Sequence, residues 1–119
     1  MGLHDDEEQK EVGVLMNQES VIMHQIMAAL SAKGCFVLRT NSGVYYDSQG
    51  NRITIGFKGL SDLVGFRPDG KFFALEIKTP TGRPSAEQLK FIDFCHRKGI
   101  PAGIARSVKD ALQILEVEN

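Results

Sequence analysis

Hydrophobic and polar positions alternate with a helical period near the start of the chain, in residues 19–32. Apolar side chains recur there at the three- and four-residue spacing of a helix with one buried face: Ile22, Ile26, Ala29 and Leu30. Gly34 follows, and a glycine just past a helix readily adopts the left-handed conformation that ends it. The pattern predicts an amphipathic helix that stops before Gly34.

Short apolar segments bounded by turn residues follow this helix. They predict strands at residues 35–40, 61–66, 71–78 and 102–106. Residues 44–55 are interrupted by a polar turn at 47–51, and they indicate either a short hairpin or an irregular excursion. The chain therefore alternates between strands and helices after its first helix.

Two later segments begin with helix-capping signals. Ser85 is followed three residues later by Gln88, which is the capping-box spacing, and Gly99 closes the segment. Ser107 caps a short final helix. A crossover through the helix at Gln88 predicts parallel pairing of the strands that it joins. The expected fold is α/β, a mixed β-sheet flanked by helices.

The turn at residues 68–70 predicts a register for the two strands around it. Pro-Asp-Gly suits a three-residue hairpin loop, because proline presets the first dihedral and glycine accepts the last. Counting outward along both strands places Asp62 opposite Glu76, with Cβ atoms ~4.5–5.5 Å apart. Lys78 points to the same side as Glu76. The alternate residues Phe73, Leu75 and Ile77 point into the core.

Two carboxylates facing each other repel, so a positive group is expected between them. One interpretation is that Lys78 neutralises Asp62 and Glu76 as an ordinary ion-pair partner. The other is that the carboxylates bind a hard divalent cation such as Mg²⁺, with Lys78 beside it. These residues alone leave both interpretations open.

Composition and charge limit the remaining possibilities. The chain has 119 residues, of which 42% are hydrophobic, and neither its two cysteines nor its three histidines have zinc-site spacing. Residues 1–19 contain six acidic residues and one lysine, a net −5, whereas residues 20–119 contain 13 basic and nine acidic residues, a net +4. We expect a flexible acidic tail at residues 1–16 and a mildly basic folded domain at 17–119, which permits a polyanionic partner.

The candidate residues form an ordered set along the chain. Asp62 is followed on the next predicted strand by Glu76-Ile77-Lys78. The wider pattern adds Glu19, Arg39, Asn41-Ser42-Gly43, Gly59-x-x-Asp62-Leu63, Gly82, Ser85-x-x-Gln88 and the closing GIPAGIARSVKDAL. This set, spanning residues 17–115, resembles the virus-type replication–repair nuclease (VRR-NUC) branch of the PD-(D/E)XK nuclease superfamily. Ser61 stands where the superfamily signature has proline.

The resemblance implies a restriction-endonuclease-like core and a role for each matching residue. Mg²⁺, or Mn²⁺ in its place, would be bound by Asp62, Glu76, the backbone carbonyl of Ile77 and Glu19. Lys78 would position the attacking water, and Gln88 is carried over as a catalytic-site residue. The alternatives from the residues themselves are that Glu19 only stabilises the start of its helix and that Gln88 only completes the capping box.

Nine basic residues of the folded part are candidates for phosphate contacts. Arg39 and Arg83 are favoured because they flank the predicted site. Solvated surface positions are the better interpretation of Lys58, Arg67, Lys71, Lys90, Arg97, Lys98 and Arg106.

The expected function is a metal-dependent endodeoxyribonuclease that hydrolyses phosphodiester bonds, leaving 5′-phosphate and 3′-hydroxyl ends. A domain this small has little surface for reading base sequence, so the expected substrate is branched DNA such as the four-way (Holliday) junction, cut by a homodimer. The apolar side chains of Met16, Met23 and Met27 suggest a dimer interface on the first helix. No membrane partner and a cytoplasmic location, in a bacterial or phage-infected cell, are expected.

Two rival functions differ in what they require. A catalytically silent nucleic-acid-binding or assembly module would keep the fold and use Lys78 only to neutralise the acids. A sequence-specific restriction-type nuclease would need additional recognition loops, which the chain does not indicate.

Overall fold

The computed structural model describes residues 18–117. The predicted acidic tail, residues 1–16, lies outside the described residues. Within them the chain forms three helices and six strands, which are in order α1 (Gln18–Ala32), β1 (Phe36–Arg39), β2 (Gly43–Tyr46), β3 (Arg52–Ile55), β4 (Leu63–Phe66), β5 (Phe72–Ile77), α2 (Ala86–Arg97), β6 (Ala102–Ala105) and α3 (Val108–Leu115). None of the three helices has the length and apolarity needed to cross a bilayer.

The main sheet has four strands in the order β1-β4-β5-β6. Strand β4 pairs antiparallel with β1 and with β5, whereas β5 and β6 are parallel and are joined through α2. Helices α1 and α3 cover one face and α2 covers part of the other. The predicted mixed sheet flanked by helices is confirmed.

The register of β4 and β5 agrees with the turn chemistry. Leu63 pairs with Leu75, and Phe66 pairs with Phe72. The turn is closed by a hydrogen bond from the Arg67 amide to the Lys71 carbonyl, at 2.9 Å. Strand β4 begins at Leu63, so Asp62 lies at a bend immediately before the strand.

Strand β5 separates two apolar clusters. Phe73, Leu75 and Ile77 have no solvent exposure and pack against α1 and α3. Ala74 points to the other face and packs with Ile92 and Cys95 of α2 and with Ala102 of β6. Because side chains alternate along a strand, Glu76 is directed to the α2 face.

The apolar face of α1 is buried inside the domain. Met23 is buried in the main core with Ile26 and Leu30, and Met27 is partly buried against the same cluster. The prediction of a dimer interface at Met23 is therefore wrong, because that side chain already packs inside the domain. Met16 lies outside the described residues.

Residues 43–55 form a hairpin that stands apart from the main sheet. Strands β2 and β3 pair only with each other, with Tyr45 opposite Ile53 and Val44 opposite Thr54. The Asp47 carboxylate closes the turn by accepting hydrogen bonds from the amides of Gln49 and Asn51, at 2.9 and 2.8 Å. Of the two expectations for this segment, the structure shows the hairpin.

Gly65 permits the close approach of β1 and β4. A Cβ atom at this position would lie 1.9 Å from the carbonyl oxygen of Phe36. Backbone on the neighbouring strand cannot move aside as the end of a side chain can, so a larger residue would have to separate the strands.

We expect Gly65→Ala to lower the free energy of unfolding by about 3 kcal/mol or more, at the upper end of overpacking effects. Gly103→Ala is the matched control, because its Cβ would meet the flexible Cδ1 of Ile114 at 2.9 Å and that side chain can shift. Urea denaturation of both variants measures the difference. Equal losses would contradict the assigned close approach.

Candidate active site

Three carboxylates converge at one end of the main sheet. Glu19, Asp62 and Glu76 each offer an oxygen, and these oxygens lie within 4.8 Å of one another. They come from the first turn of α1, from the bend before β4 and from β5. The fold therefore brings together the three acidic residues that the sequence singled out.

Asp62 is held from both neighbouring strands. Its Oδ2 accepts a hydrogen bond from the Ile77 amide, at 2.8 Å. On the other side, the Thr40 amide donates to the Asp62 carbonyl, at 3.0 Å, and the Thr40 hydroxyl donates to the Ser61 carbonyl, at 3.0 Å. These bonds orient the Asp62 side chain toward Glu76 and bring the backbone of Ile77 next to the cluster.

Glu76 is almost completely buried, with 1% of its surface exposed. Its Oε1 accepts a hydrogen bond from Gln88 Nε2, at 2.9 Å, whereas its Oε2 is buried without a hydrogen-bond partner among the described residues. A buried polar atom without a partner carries a desolvation cost. A cation at the cluster would give this oxygen a partner.

Burial and neighbouring acids change the titration of Glu76. Loss of hydration is the largest cause, followed by the interaction of its carboxyl group with the neighbouring side chain of Asp62 and by the negative charge of that side chain, and together they raise the pKa of Glu76 to about 9. The charge of Lys78 acts in the opposite direction and lowers this pKa in part. At neutral pH the carboxyl therefore holds a proton in the absence of a cation.

The donor set of the cluster fits a hard divalent cation. Carboxylate oxygens are ligands that Mg²⁺ and Mn²⁺ prefer, and the partnerless Oε2 of Glu76 is an additional indication of a missing positive group. Glu19, Asp62 and Glu76 supply three such ligands. The cluster has no histidine or cysteine, which softer metals would favour.

Lys78 follows β5 directly and is partly exposed. Its effect on the pKa of Glu76 indicates that the ammonium group lies near the cluster. The ion pairs among residues 18–117 do not include one between Lys78 and Asp62 or Glu76. Within the described residues Lys78 therefore makes no direct ion pair with either acid, although its charge acts on Glu76.

Gln88 completes the capping box and also contacts the acidic cluster. Its Oε1 accepts from the Ser85 amide, at 2.7 Å, and its own amide donates to Ser85 Oγ, at 3.1 Å, which completes the capping box. Its Nε2 still donates to Glu76. The Gln88 side chain therefore connects the first turn of α2 to the acidic cluster through hydrogen bonds.

The two arginines favoured for phosphate contacts are both exposed. Arg39 ends β1 and lines a small cavity of about 120 Å³ that also includes Asp62 and Tyr45. Arg83 lies in the loop between β5 and α2. Arg39 therefore shares a cavity with Asp62, and Arg83 lies on the loop that follows Lys78.

Arg106 has a role that the sequence did not indicate. Its Nη1 donates to the carbonyls of Thr79 and Gly82, each at 2.6 Å. These bonds hold the loop that follows Lys78 and carries Arg83. The expected solvated surface position of Arg106 has to be corrected, because its guanidinium group donates to backbone carbonyls.

A larger cavity of about 500 Å³ opens beside the carboxylates. Asp62 and Gln88 line it on the side of the main sheet, and the β2–β3 hairpin lines the opposite side. Arg52 and Lys58 contribute positive charge to its wall, although Lys58 is also paired with Glu87, at 3.4 Å. The cavity reaches the acidic cluster at Asp62.

Comparison with known proteins identifies relatives of this arrangement. The profile of the VRR-NUC domain matches residues 45–109, more than half of the chain. A solved structure described as a VRR-NUC domain has 21% sequence identity and a TM-score of 0.60, and the alignment covers 82% of this chain and 94% of that chain. Comparison with curated protein sequences gives no significant match.

The double role of Gln88 can be separated with two substitutions. Ser85→Ala removes the hydroxyl cap, and we expect it to cost about 1 kcal/mol of stability while leaving cation affinity unchanged. The Ser85 amide still donates to Gln88 in this variant. Gln88→Ala removes the bond to Glu76, and we expect at least about a 10-fold loss of Mn²⁺ affinity in calorimetry. Wild-type affinity in Gln88→Ala would refute the orienting role.

The raised pKa of Glu76 predicts a pH-dependent stability. The unfolded chain releases this proton near pH 4.3, but the folded chain retains it up to about pH 9. The folded state binds more protons between these values, so the stability of the metal-free protein should fall as the pH rises through this range. Thermal unfolding in EDTA tests the trend. Glu76→Gln should reduce the slope, and added Mg²⁺ should stabilise the wild type more at high pH.

Proposed function

The chain belongs to the VRR-NUC domain family, and from this premise we propose that it is a metal-dependent endonuclease that cleaves branched DNA. Membership implies a nuclease-type fold and binding to DNA. The observation that carries the proposal further is the convergence of oxygens of Glu19, Asp62 and Glu76 within 4.8 Å. The charge of Lys78 acts on this cluster, and one buried Glu76 oxygen has no hydrogen-bond partner within residues 18–117.

In this proposal the acidic cluster holds Mg²⁺, and Mn²⁺ can replace it. The ligands are the carboxylates of Glu19, Asp62 and Glu76 and the backbone carbonyl of Ile77. When bound, the ion polarises a phosphodiester oxygen and lowers the pKa of a water molecule. Gln88 keeps Glu76 in a fixed orientation through its amide, so the ligand geometry does not depend on substrate.

Lys78 and the nearby arginines supply positive charge to the substrate. Lys78 orients the attacking water and stabilises the charge that develops on the phosphate during in-line displacement. Arg39 and Arg83 contact phosphates on either side of the scissile bond and fix the strand in the cleft. Cleavage of the P–O3′ bond leaves 5′-phosphate and 3′-hydroxyl ends.

The small size of the domain favours recognition of DNA shape. The described part of the chain contributes one sheet, three helices and one hairpin, with little surface for contacts to base edges. A four-way junction presents two equivalent strands for cleavage, and a two-fold homodimer presents two equivalent sites. We therefore propose the Holliday junction as the preferred substrate.

Labelled four-way junction and plain duplex, incubated with Mg²⁺, Mn²⁺ or EDTA, test the proposal. We expect metal-dependent cleavage with a preference for the junction. Lys78→Ala should lower the cleavage rate at least about 100-fold, the effect of losing a positioned catalytic group. Lys71→Ala is the matched control, because this exposed lysine lies at the opposite end of β5 and should retain wild-type activity.

The outcomes separate the parts of the proposal. Cleavage in EDTA would refute the metal-dependent mechanism. Equal cleavage of junction and duplex would remove only the preference for branched DNA. Tight binding of DNA without cleavage by the wild type, in either metal, would favour the catalytically silent module.

A further inference from the structure

Two cavities of the structure share Asp62 as a lining residue. The larger one has Arg52 of the β2–β3 hairpin in its wall, and the small one, of about 120 Å³, has Tyr45 of the same hairpin in its wall. Ser42 also lines both cavities. The hairpin is therefore next to the proposed metal site, and Tyr45 is its aromatic side chain in the small cavity.

The ring of Tyr45 is fixed in place by local contacts. Its hydroxyl donates a hydrogen bond to the Asn41 carbonyl, at 3.0 Å. The ring also lies over Gly43, with Cε2 3.7 Å from the position that a Cβ atom of this glycine would occupy. Tyr45 is 44% exposed, so part of its surface is open to a ligand. A side chain that is already fixed loses little conformational freedom when a ligand packs against it.

The small cavity combines three groups of different chemistry. Asp62 is a ligand of the proposed metal ion, Arg39 carries a positive charge, and Tyr45 offers an aromatic ring. A nucleotide has matching parts, because its phosphate binds cations and arginine and its base stacks on aromatic rings. Since Asp62 and Tyr45 line one small cavity, a phosphate held at Asp62 has a neighbouring base within reach of the ring.

The charge of the hairpin also favours contact with a base. Asp47 and Arg52 are the only charged residues of the hairpin, and their charges cancel. A surface that followed the phosphate backbone would need several lysine or arginine residues. Tyr45 and its cross-strand partner Ile53, which is 43% exposed, form an uncharged face. Such a face suits the flat surface of a base and leaves the phosphates to Arg39.

We propose that Tyr45 determines substrate specificity by stacking on a base next to the scissile phosphate. The inference rests on the proposed function, because it places the base on a strand that is cut at the acidic cluster. A base inside a continuous duplex is covered on both faces by its neighbours, so it cannot stack on a side chain. The substrate class is therefore DNA with an unpaired or unstacked nucleotide at the cleavage site.

This contact lets a small domain select branched DNA without reading its sequence. Stacking on an aromatic side chain tolerates any base, because every base has an aromatic face. Selection then depends on whether a base face is exposed beside the site, and contacts to base edges are not required. An open branch point interrupts the stacking of base pairs and exposes such a face.

Single-turnover cleavage of a four-way junction with Mg²⁺ tests the contact. Tyr45→Ala should cleave at least about 5-fold more slowly than the wild type, the lower end of the effect of removing a base-stacking side chain. Tyr45→Phe keeps the ring, so it should cleave at nearly the wild-type rate. Tyr46→Ala is the matched control and should retain the wild-type rate. This tyrosine is 68% exposed, lies on the opposite face of the hairpin and lines neither cavity.

Removal of the base tests the stacking directly. A junction with abasic nucleotides on both sides of the cleaved bond should slow the wild type by the same factor as Tyr45→Ala. The two changes remove one contact, so Tyr45→Ala should cleave the abasic and the intact junction at equal rates. Losses that multiply would overturn the proposal, as would a Tyr45→Phe variant as slow as Tyr45→Ala. Multiplying losses together with reduced self-association of Tyr45→Ala in analytical ultracentrifugation would assign the ring to a protein contact instead.

A fluorescent base separates this inference from the nuclease function. The base analogue 2-aminopurine, placed at the branch point, emits less light when it stacks on an aromatic ring. Its emission should therefore be lower with saturating Lys78→Ala than with Lys78→Ala combined with Tyr45→Ala. Such quenching by a protein whose wild type cleaves no DNA would refute the nuclease function and support the stacking contact. Wild-type cleavage by Tyr45→Ala, with equal emission for the two variants, would refute the contact and leave the nuclease function intact.

Discussion

Electrostatic repulsion among three carboxylates is the constraint around which the site is arranged. Glu19, Asp62 and Glu76 lie closer together than isolated anions would remain, and Glu76 is buried as well. The unfavourable energy appears in the pKa of Glu76, which burial first and Asp62 second raise to about 9, and in a Glu76 oxygen that has no hydrogen-bond partner among the described residues. Such an arrangement lowers stability in the absence of a cation, so its most direct explanation is cation binding.

The main sheet can hold the three carboxylates together because β5 is hydrogen-bonded to a strand on each side and is buried on both faces. Its alternate side chains serve separate purposes, with Leu75 and Ile77 in the core and Glu76 in the site. The bond from the Ile77 amide to Asp62 and the bond from Gln88 to Glu76 link the two neighbouring segments to the same strand. The rigidity of the site therefore derives from the core, and Arg106 extends it to the loop beyond Lys78.

The hairpin and the acidic cluster differ in how far the rest of the fold covers them. The cluster is surrounded by packed elements and needs only an ion to satisfy its charges. The two strands of the hairpin pair only with each other and leave Tyr45, Tyr46 and Ile53 exposed to water. The hairpin and Asp62 of the cluster line the same cavity.

Local chemistry in the sequence predicted much of this arrangement. The turn at residues 68–70 gave the β4–β5 register, Ser85 and Gln88 gave the start of α2, and alternation separated Glu76 from the core residues of β5. These features depend on hydrogen bonds and side-chain directions between residues close in the chain, which a sequence pattern encodes directly. The burial of Met23, the second bond of Gln88, the attachment of Arg106 to Thr79 and Gly82, and the uncovered hairpin were decided only by the tertiary structure. Each of these features depends on which distant segments of the chain come together. A sequence pattern does not show this, because every residue has a backbone carbonyl and the same apolar residue type can be buried or exposed.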